Sequence, residues 1–179
     1  MSEGAAAFRD AGSGPIMRQN EGDMTKELVE GELAPSFQLP TDGGGRTDLE
    51  DLKGQAVVIY FYPKDDTSGC TAEAIAFNGL RAKFAAVGAT VIGVSPDSAA
   101  SHDKFKRKHD LEIALAADPE RSAIEAYGVW KEKSMYGRKY FGVERSTFLI
   151  DRKGRIAKIW RKVKVPGHAD EVLAATKSL

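Results

Sequence analysis

Three apolar runs separated by stretches of helical period constrain this chain more than any other feature. Val57-Val58-Ile59-Tyr60-Phe61, Thr90-Val91-Ile92-Gly93-Val94-Ser95 and Ile113-Ala114-Leu115-Ala116-Ala117-Asp118 are nearly continuous in apolar and β-branched residues, as expected of strands buried on both faces. Between the first two, Ala74, Ile75, Phe77, Leu80, Phe84 and Val87 recur at helical spacing, which predicts one helix from Cys70 to Gly88. Ser98 is placed to cap a helix through Phe105 to about His109, and a short helix is expected over Ala123 to Tyr127. Strands that alternate with helices in this way pair side by side with helices packed over them.

The ends of the pattern differ. Upstream, Ser36-Phe37-Gln38-Leu39-Pro40 alternates like a short strand. Thr41 to Arg46, with Gly43-Gly44-Gly45, reads as a flexible turn without the context of a phosphate loop, and Asp48 to Leu52 reads as one helical turn. Downstream, Arg145 to Ile150 predicts a strand, Asp151 to Gly154 a tight turn, Arg155 to Val163 an alternating return strand and Gly167 to Leu179 an amphipathic helix. The sum is an α/β fold, a mixed sheet with helices on both faces. This is the thioredoxin-like layout, although the pattern alone also allows another small α/β fold.

The 179 residues, 42% of them hydrophobic, suffice for one packed domain. Residues 1–30 are Gly, Ala, Ser and charged groups with little periodicity, expected to form a flexible tail ahead of a domain at 31–179. Met24 offers an alternative start. Lys plus Arg balance Asp plus Glu at 26 each, so no net field favours nucleic acid or an anionic membrane. No apolar run approaches the ~20 residues of a membrane span, and the N-terminus lacks a secretory pattern. A reducing cytoplasm is the expected location. His102 and His109 lie two helical turns apart without a third ligand, so no metal is expected. The run Lys104 to Lys108 reads as mostly a solvated helix face. Trp130, Met135, Tyr136, Tyr140 and Phe141 are assigned to core packing by default, with a partner surface or pocket wall as the alternative.

The chain has one cysteine, Cys70, where the first apolar run feeds the predicted helix. A thiol at a helix N-terminus faces unpaired N–H groups and the positive end of the helix dipole, both of which favour the nucleophilic thiolate. A buried structural cysteine is the commoner fate, but the neighbours here are small, polar and turn-forming. Taken singly, Pro63 and Gly69 read as loop punctuation, Thr67 as an N-cap, Arg145 as a surface residue and Glu73 as a complement to the dipole.

Taken together, Pro63-Lys64-Asp65-Asp66-Thr67-Ser68-Gly69-Cys70 fits the Pro-x-x-x-Thr-x-x-Cys signature of peroxiredoxins. With Phe61-Tyr62, Thr71, Tyr127-Gly128-Val129-Trp130 and Arg145 to Asp151, the chain from Leu33 to Leu179 resembles the bacterioferritin-comigratory, or peroxiredoxin Q, subfamily. The resemblance implies a thiol peroxidase in which Cys70 attacks a hydroperoxide. Thr67 would turn its hydroxyl toward sulfur and peroxide, the N–H groups of Gly69 and Cys70 would donate to the peroxide, and Pro63 would shield the thiolate. Arg145 would approach from a neighbouring strand to favour the thiolate, oriented by Glu73.

Many members of that subfamily carry a resolving cysteine five residues after the reactive one, where this chain has Ile75. The sulfenic acid formed at Cys70 must then meet a thiol from outside: thioredoxin, glutathione with glutaredoxin, or another small thiol. A Cys70–Cys70 disulfide between chains is conceivable, and overoxidation to the sulfinic acid is a risk. No organic cofactor is expected, and the resemblance suggests a monomer or weak homodimer. The competing function is a peroxide sensor or holdase oxidised at Cys70 without sustained turnover. A disulfide oxidoreductase would need a CxxC and is disfavoured.

Overall fold

The computed structural model describes residues 27–179. In chain order, a small antiparallel pair, β1 (Gln38–Pro40) and β2 (Arg46–Asp48), precedes β3 (Ala56–Phe61), α1 (Ser68–Gly79), α2 (Arg81–Ala86), β4 (Ala89–Ser95), α3 (Ala99–His109), β5 (Ala114–Ala117) and α4 (Ser122–Ala126). A hairpin of β6 (Trp130–Met135) and β7 (Arg138–Val143) follows, then β8 (Ser146–Ile150), β9 (Ile156–Trp160) and α5 (His168–Lys177). Five strands form the central sheet in the order β5-β4-β3-β8-β9. β3 runs parallel to β4 and antiparallel to β8, which places the three expected apolar runs side by side.

All six residues of β3 are buried, and their alternation divides the core into two layers. Val58 and Tyr60 face α1, α2 and α5 through Phe77, Phe84 and Val172. Val57, Ile59 and Phe61 face the opposite layer, where Ile124, Tyr127 and Phe37 cover the sheet. The expected α/β architecture, a mixed sheet with helices on both faces, is therefore present. Ser98 caps α3 as expected, its hydroxyl accepting the Ser101 N–H at 3.1 Å.

Three expectations are corrected. The helix expected from Cys70 to Gly88 breaks at Leu80 (φ −100°, ψ 4°) into α1 and α2. At the break Asn78 turns to other partners. Its carbonyl accepts from Arg81 at 2.9 Å, and its side-chain oxygen accepts from the Glu112 and Ile113 N–H groups ahead of β5. The aromatic segment assigned to core packing is instead the β6–β7 hairpin, with Met135, Tyr140 and Phe141 exposed and Tyr136 98% exposed. Only Trp130 of that group is half-buried, stacked on Phe141 with ring centroids 6.4 Å apart. The basic run is mostly a solvated face, with Lys104, Arg107 and Lys108 exposed, though Lys106 and Lys108 each bind a carboxylate, Asp42 and Asp66, at 2.7 Å. The triglycine turn is tied down by that Lys106–Asp42 pair, by the Leu115 N–H to Asp42 and by the Gly43 N–H to Asp103.

Residues 1–26, with Met24, lie outside the described residues. Residues 27–30 run against the domain: Glu27 pairs with Lys131 at 2.9 Å and Arg161 at 3.8 Å, and Glu30 accepts from the Ile159 N–H of β9. No helix among the described residues is long and apolar enough to cross a membrane.

Gly93 in β4 allows the Tyr60 ring to lie across the sheet and stack on Phe77 at 4.7 Å. A β-carbon at Gly93 would come within 2.7 Å of Tyr60 Cζ and 2.9 Å of Leu115 Cδ2. Gly93→Ala should therefore lower unfolding stability by about 1–3 kcal/mol, read from urea unfolding; an unchanged midpoint would show that the layer yields at no cost.

Candidate active site

The loop between β3 and α1 is held from below by a buried polar network. Tyr62 donates its hydroxyl to Asp65 Oδ1 at 2.7 Å, while Asp65 Oδ2 accepts from the Ser101 hydroxyl and meets His102 Nδ1, both at 2.7 Å. His102 is fully buried, and its other ring nitrogen lies 3.0 Å from the Ala116 carbonyl of β5. The Asp65 N–H donates to Asp97 Oδ2, which also accepts the Ser95 hydroxyl from the end of β4. Asp65, Asp97 and His102 stand close enough to share a cation, but the same atoms satisfy one another and the loop backbone. The network anchors the loop to α3, β4 and β5. Asp66 then turns the chain with φ 61°, a conformation Asp tolerates, and is gripped by Lys108 and by His109 at 2.9 Å.

This anchoring sets where α1 begins. Thr67 occupies the N-cap position, and the first helical bond runs from the Thr71 N–H to the Thr67 carbonyl at 2.8 Å. The N–H groups of Ser68, Gly69 and Cys70 therefore lie in the first turn, where no intrahelical acceptor exists. Cys70 itself is 1% exposed, a free thiol at the edge of the layer that holds Tyr60, Tyr62 and Phe77.

Arg145 reaches this sulfur from the junction of β7 and β8. Its Nη2 donates to Cys70 Sγ at 3.4 Å and its Nη1 to Glu73 Oε1 at 2.6 Å. The guanidinium thus bridges two residues one turn apart on α1. Gly69 makes room for it, since a β-carbon there would lie 3.1 Å from Nη2. Burial pushes the guanidinium down, but Glu73 and Cys70 beside it outweigh that and hold it above its ordinary range. Glu73, 1% exposed, is pushed up to about 7 by burial, with Arg145 opposing. Its second oxygen, Oε2, is buried without a hydrogen-bond partner. A carboxyl so poised keeps one strong bond to Arg145 while leaving its far oxygen dry.

The structure brings Cys70, Arg145, Glu73 and Gly69 into one contact group. Pro63 is half-buried in the loop after Tyr62. Thr67 differs in detail from the expected cap: its hydroxyl makes no cap bond and donates instead to the Lys64 carbonyl at 3.0 Å.

Known proteins resemble this chain. Residues 31–159 match the model of the AhpC/TSA family. The chain is a peroxiredoxin of that family. Peroxiredoxin Bcp of Bacillus subtilis (strain 168) is 49% identical over 156 residues, covering 87% of this chain and 98% of that one. A structure of Xanthomonas campestris peroxiredoxin Q superposes with a TM-score of 0.76 at 48% identity, over 79% of this chain and 90% of that one. A second has the same TM-score at 47% identity and the same coverage; it captures the trapped intermediate and ligand complexes of the X. campestris bacterioferritin comigratory protein in a study of its alkyl peroxide reduction activity. As a peroxiredoxin this chain is a peroxidase with the thioredoxin-like fold expected from its sequence.

Sequence reasoning missed the loop anchors. Asp65 and His102 are legible in sequence only as a motif residue and an unexplained histidine, because their meeting depends on how α3 packs against the loop. Ile75, the position the sequence resemblance compares with a resolving cysteine, is 49% exposed on α1. The Glu73 carboxyl yields a pH prediction. Its folded-state pKa lies above the unfolded value, so ionisation costs stability as pH rises from about 4.5 to about 7. Relative to wild type, Glu73→Gln should gain up to about 2–3 kcal/mol across that interval, followed by urea unfolding at pH 5 and pH 8. A difference that does not change between the two would refute the buried, poised carboxyl.

Proposed function

We propose that this peroxiredoxin reduces hydrogen peroxide and alkyl hydroperoxides through a sulfenic acid at Cys70 and is returned to the thiolate by a thiol from outside the chain. The observation that carries the reading is the Arg145 guanidinium on Cys70 Sγ at 3.4 Å, held by Glu73, at the first turn of α1. The alkyl peroxide chemistry of the X. campestris relative supports the substrate class.

The Cys70 thiolate attacks one peroxide oxygen in line. An S–O bond forms as the O–O bond breaks, sulfur is oxidised to the sulfenic acid, and the departing alkoxide or hydroxide takes up a proton to leave as alcohol or water. Negative charge spreads along the S–O–O axis, where Arg145 and the first-turn N–H groups of Gly69 and Cys70 are preorganised donors. Thr67, already donating to the Lys64 carbonyl, offers its hydroxyl oxygen as acceptor for the hydroperoxide O–H. Pro63 has no N–H to compete. Glu73 acts as a positioning residue on Arg145.

Because Cys70 is the single cysteine of the chain, the second half-reaction uses an external thiol. Its sulfur attacks the sulfenic sulfur, water leaves, and a further thiol reduces the mixed disulfide to regenerate the thiolate. Thioredoxin is the first candidate and glutathione with glutaredoxin the second. We assign the enzyme to the cytoplasm, as a monomer or weak dimer. The solitary thiol also supports a second reading, a sensor or holdase oxidised once at Cys70.

Peroxide consumption with thioredoxin and its reductase, or with glutathione and glutaredoxin, separates the two. Wild type should turn over many equivalents with at least one system, and Cys70→Ser should lose turnover completely. One equivalent consumed and no more, with every reductant, would leave the sensor.

A further inference from the structure

The β6–β7 hairpin, which no part of the proposed chemistry uses, carries a half-buried cation to the strand end that precedes Arg145. Along β6, residues alternate between the two faces of the hairpin, and the register pairs Lys131 with Gly142 and Lys133 with Tyr140. Lys133 is half-buried on that shared face. Its stem lies over Gly142, where a β-carbon would meet Lys133 Cδ at 3.6 Å and Tyr140 Cε2 at 3.6 Å. Its ammonium donates to the Val143 carbonyl at 2.5 Å, two residues before Arg145. The lysine is thereby fixed to the strand end from which Arg145 reaches Cys70.

Its environment agrees with this placement. Burial pushes the Lys133 ammonium down and the Arg145 charge pushes it further, while Glu144 and Cys70 act in the opposite direction. Its hydrogen bond to the Val143 carbonyl places the ammonium at the strand end two residues before Arg145, the group that donates to Cys70 Sγ. Two cations held near each other cost free energy unless an anion sits between or beside them. Glu144 supplies part of that negative charge; the thiolate, and the charge that spreads along the breaking O–O bond, add to it.

We propose that Lys133 is a second cation of the active site, delivered by the β6–β7 hairpin, that stabilises negative charge at Cys70 Sγ and on the departing oxygen. It acts through its field and does not touch sulfur. The groups facing it are Arg145 and Glu144 at the β7–β8 junction and Cys70 on α1, with Glu73 behind Arg145. Lys131, on the same face, is tied to Glu27 at 2.9 Å and serves as the internal control.

This role for Lys133 rests on Cys70 as the reacting thiol, and its test does not require turnover. Iodoacetate and iodoacetamide attack the same thiolate, so the ratio of their rates with Cys70 cancels the thiolate population and reports the local charge met by the anionic reagent. Lys133→Met keeps the apolar stem over Gly142 and removes the charge. It should lower the iodoacetate-to-iodoacetamide ratio by about threefold to tenfold and slow single-turnover oxidation of Cys70 by a similar factor. Lys133→Gln should do the same, Lys133→Arg should restore the ratio, and Lys131→Met should leave it at the wild-type value. An unchanged ratio in both neutral variants, or an equal fall in Lys131→Met, would overturn the assignment. Loss of the Cys70 peroxidase reading itself would appear elsewhere, as undiminished peroxide turnover in Cys70→Ser.

Discussion

In the proposed function, the contact between the Arg145 guanidinium and Cys70 Sγ, braced by Glu73, is the interaction on which the rest depends. It joins the start of α1 to the junction of β7 and β8, elements far apart in the chain. The sheet makes the meeting possible: β8 lies next to β3 in antiparallel register, so the residue before β8 emerges at the same end as the loop after β3. That end carries the Cys70 loop. A planar, permanently charged group suits this position because one edge can hold a carboxylate while the other faces the sulfur.

Burial gives the contact its strength and its cost. Cys70 and Glu73 are both almost completely removed from solvent, so a negative charge on either would meet Arg145 with little screening by water. The same burial makes Glu73 reluctant to ionise, and its Oε2 stays without a partner. A site with one guanidinium and two potential anions in contact is held together only if protons can redistribute. Glu73, poised near neutrality, is the group able to yield. The loop beneath is fixed by a separate network through Asp65 and His102, so positioning of the helix start and tuning of the charge are carried by different residues.

Much of this is legible in the sequence, and the reasons are physical. The apolar runs at Val57, Thr90 and Ile113 fold as strands because continuous burial suits a sheet covered on both faces, and the motif from Pro63 to Cys70 marks a helix start. The helix break at Leu80 does not show in the apolar spacing, which continues through it; Gly79 weakens the helix there, and Asn78 beside it bonds the segment before β5. The β6–β7 hairpin reads as core because its aromatics look like buried groups, whereas most of them project into solvent. Lys133 gives no sequence signal at all; only the register with β7 brings it toward Arg145.

The proposed function turns on Arg145 acting on the sulfur and not merely on the fold. The most direct measurement is the single-turnover rate at which hydrogen peroxide oxidises Cys70, compared between wild type and Arg145→Ala with both shown to be folded. The expected result is a fall of about 10²-fold or more, with the Cys70 sulfenic acid still the product. An undiminished rate in the folded variant would contradict the role given to Arg145.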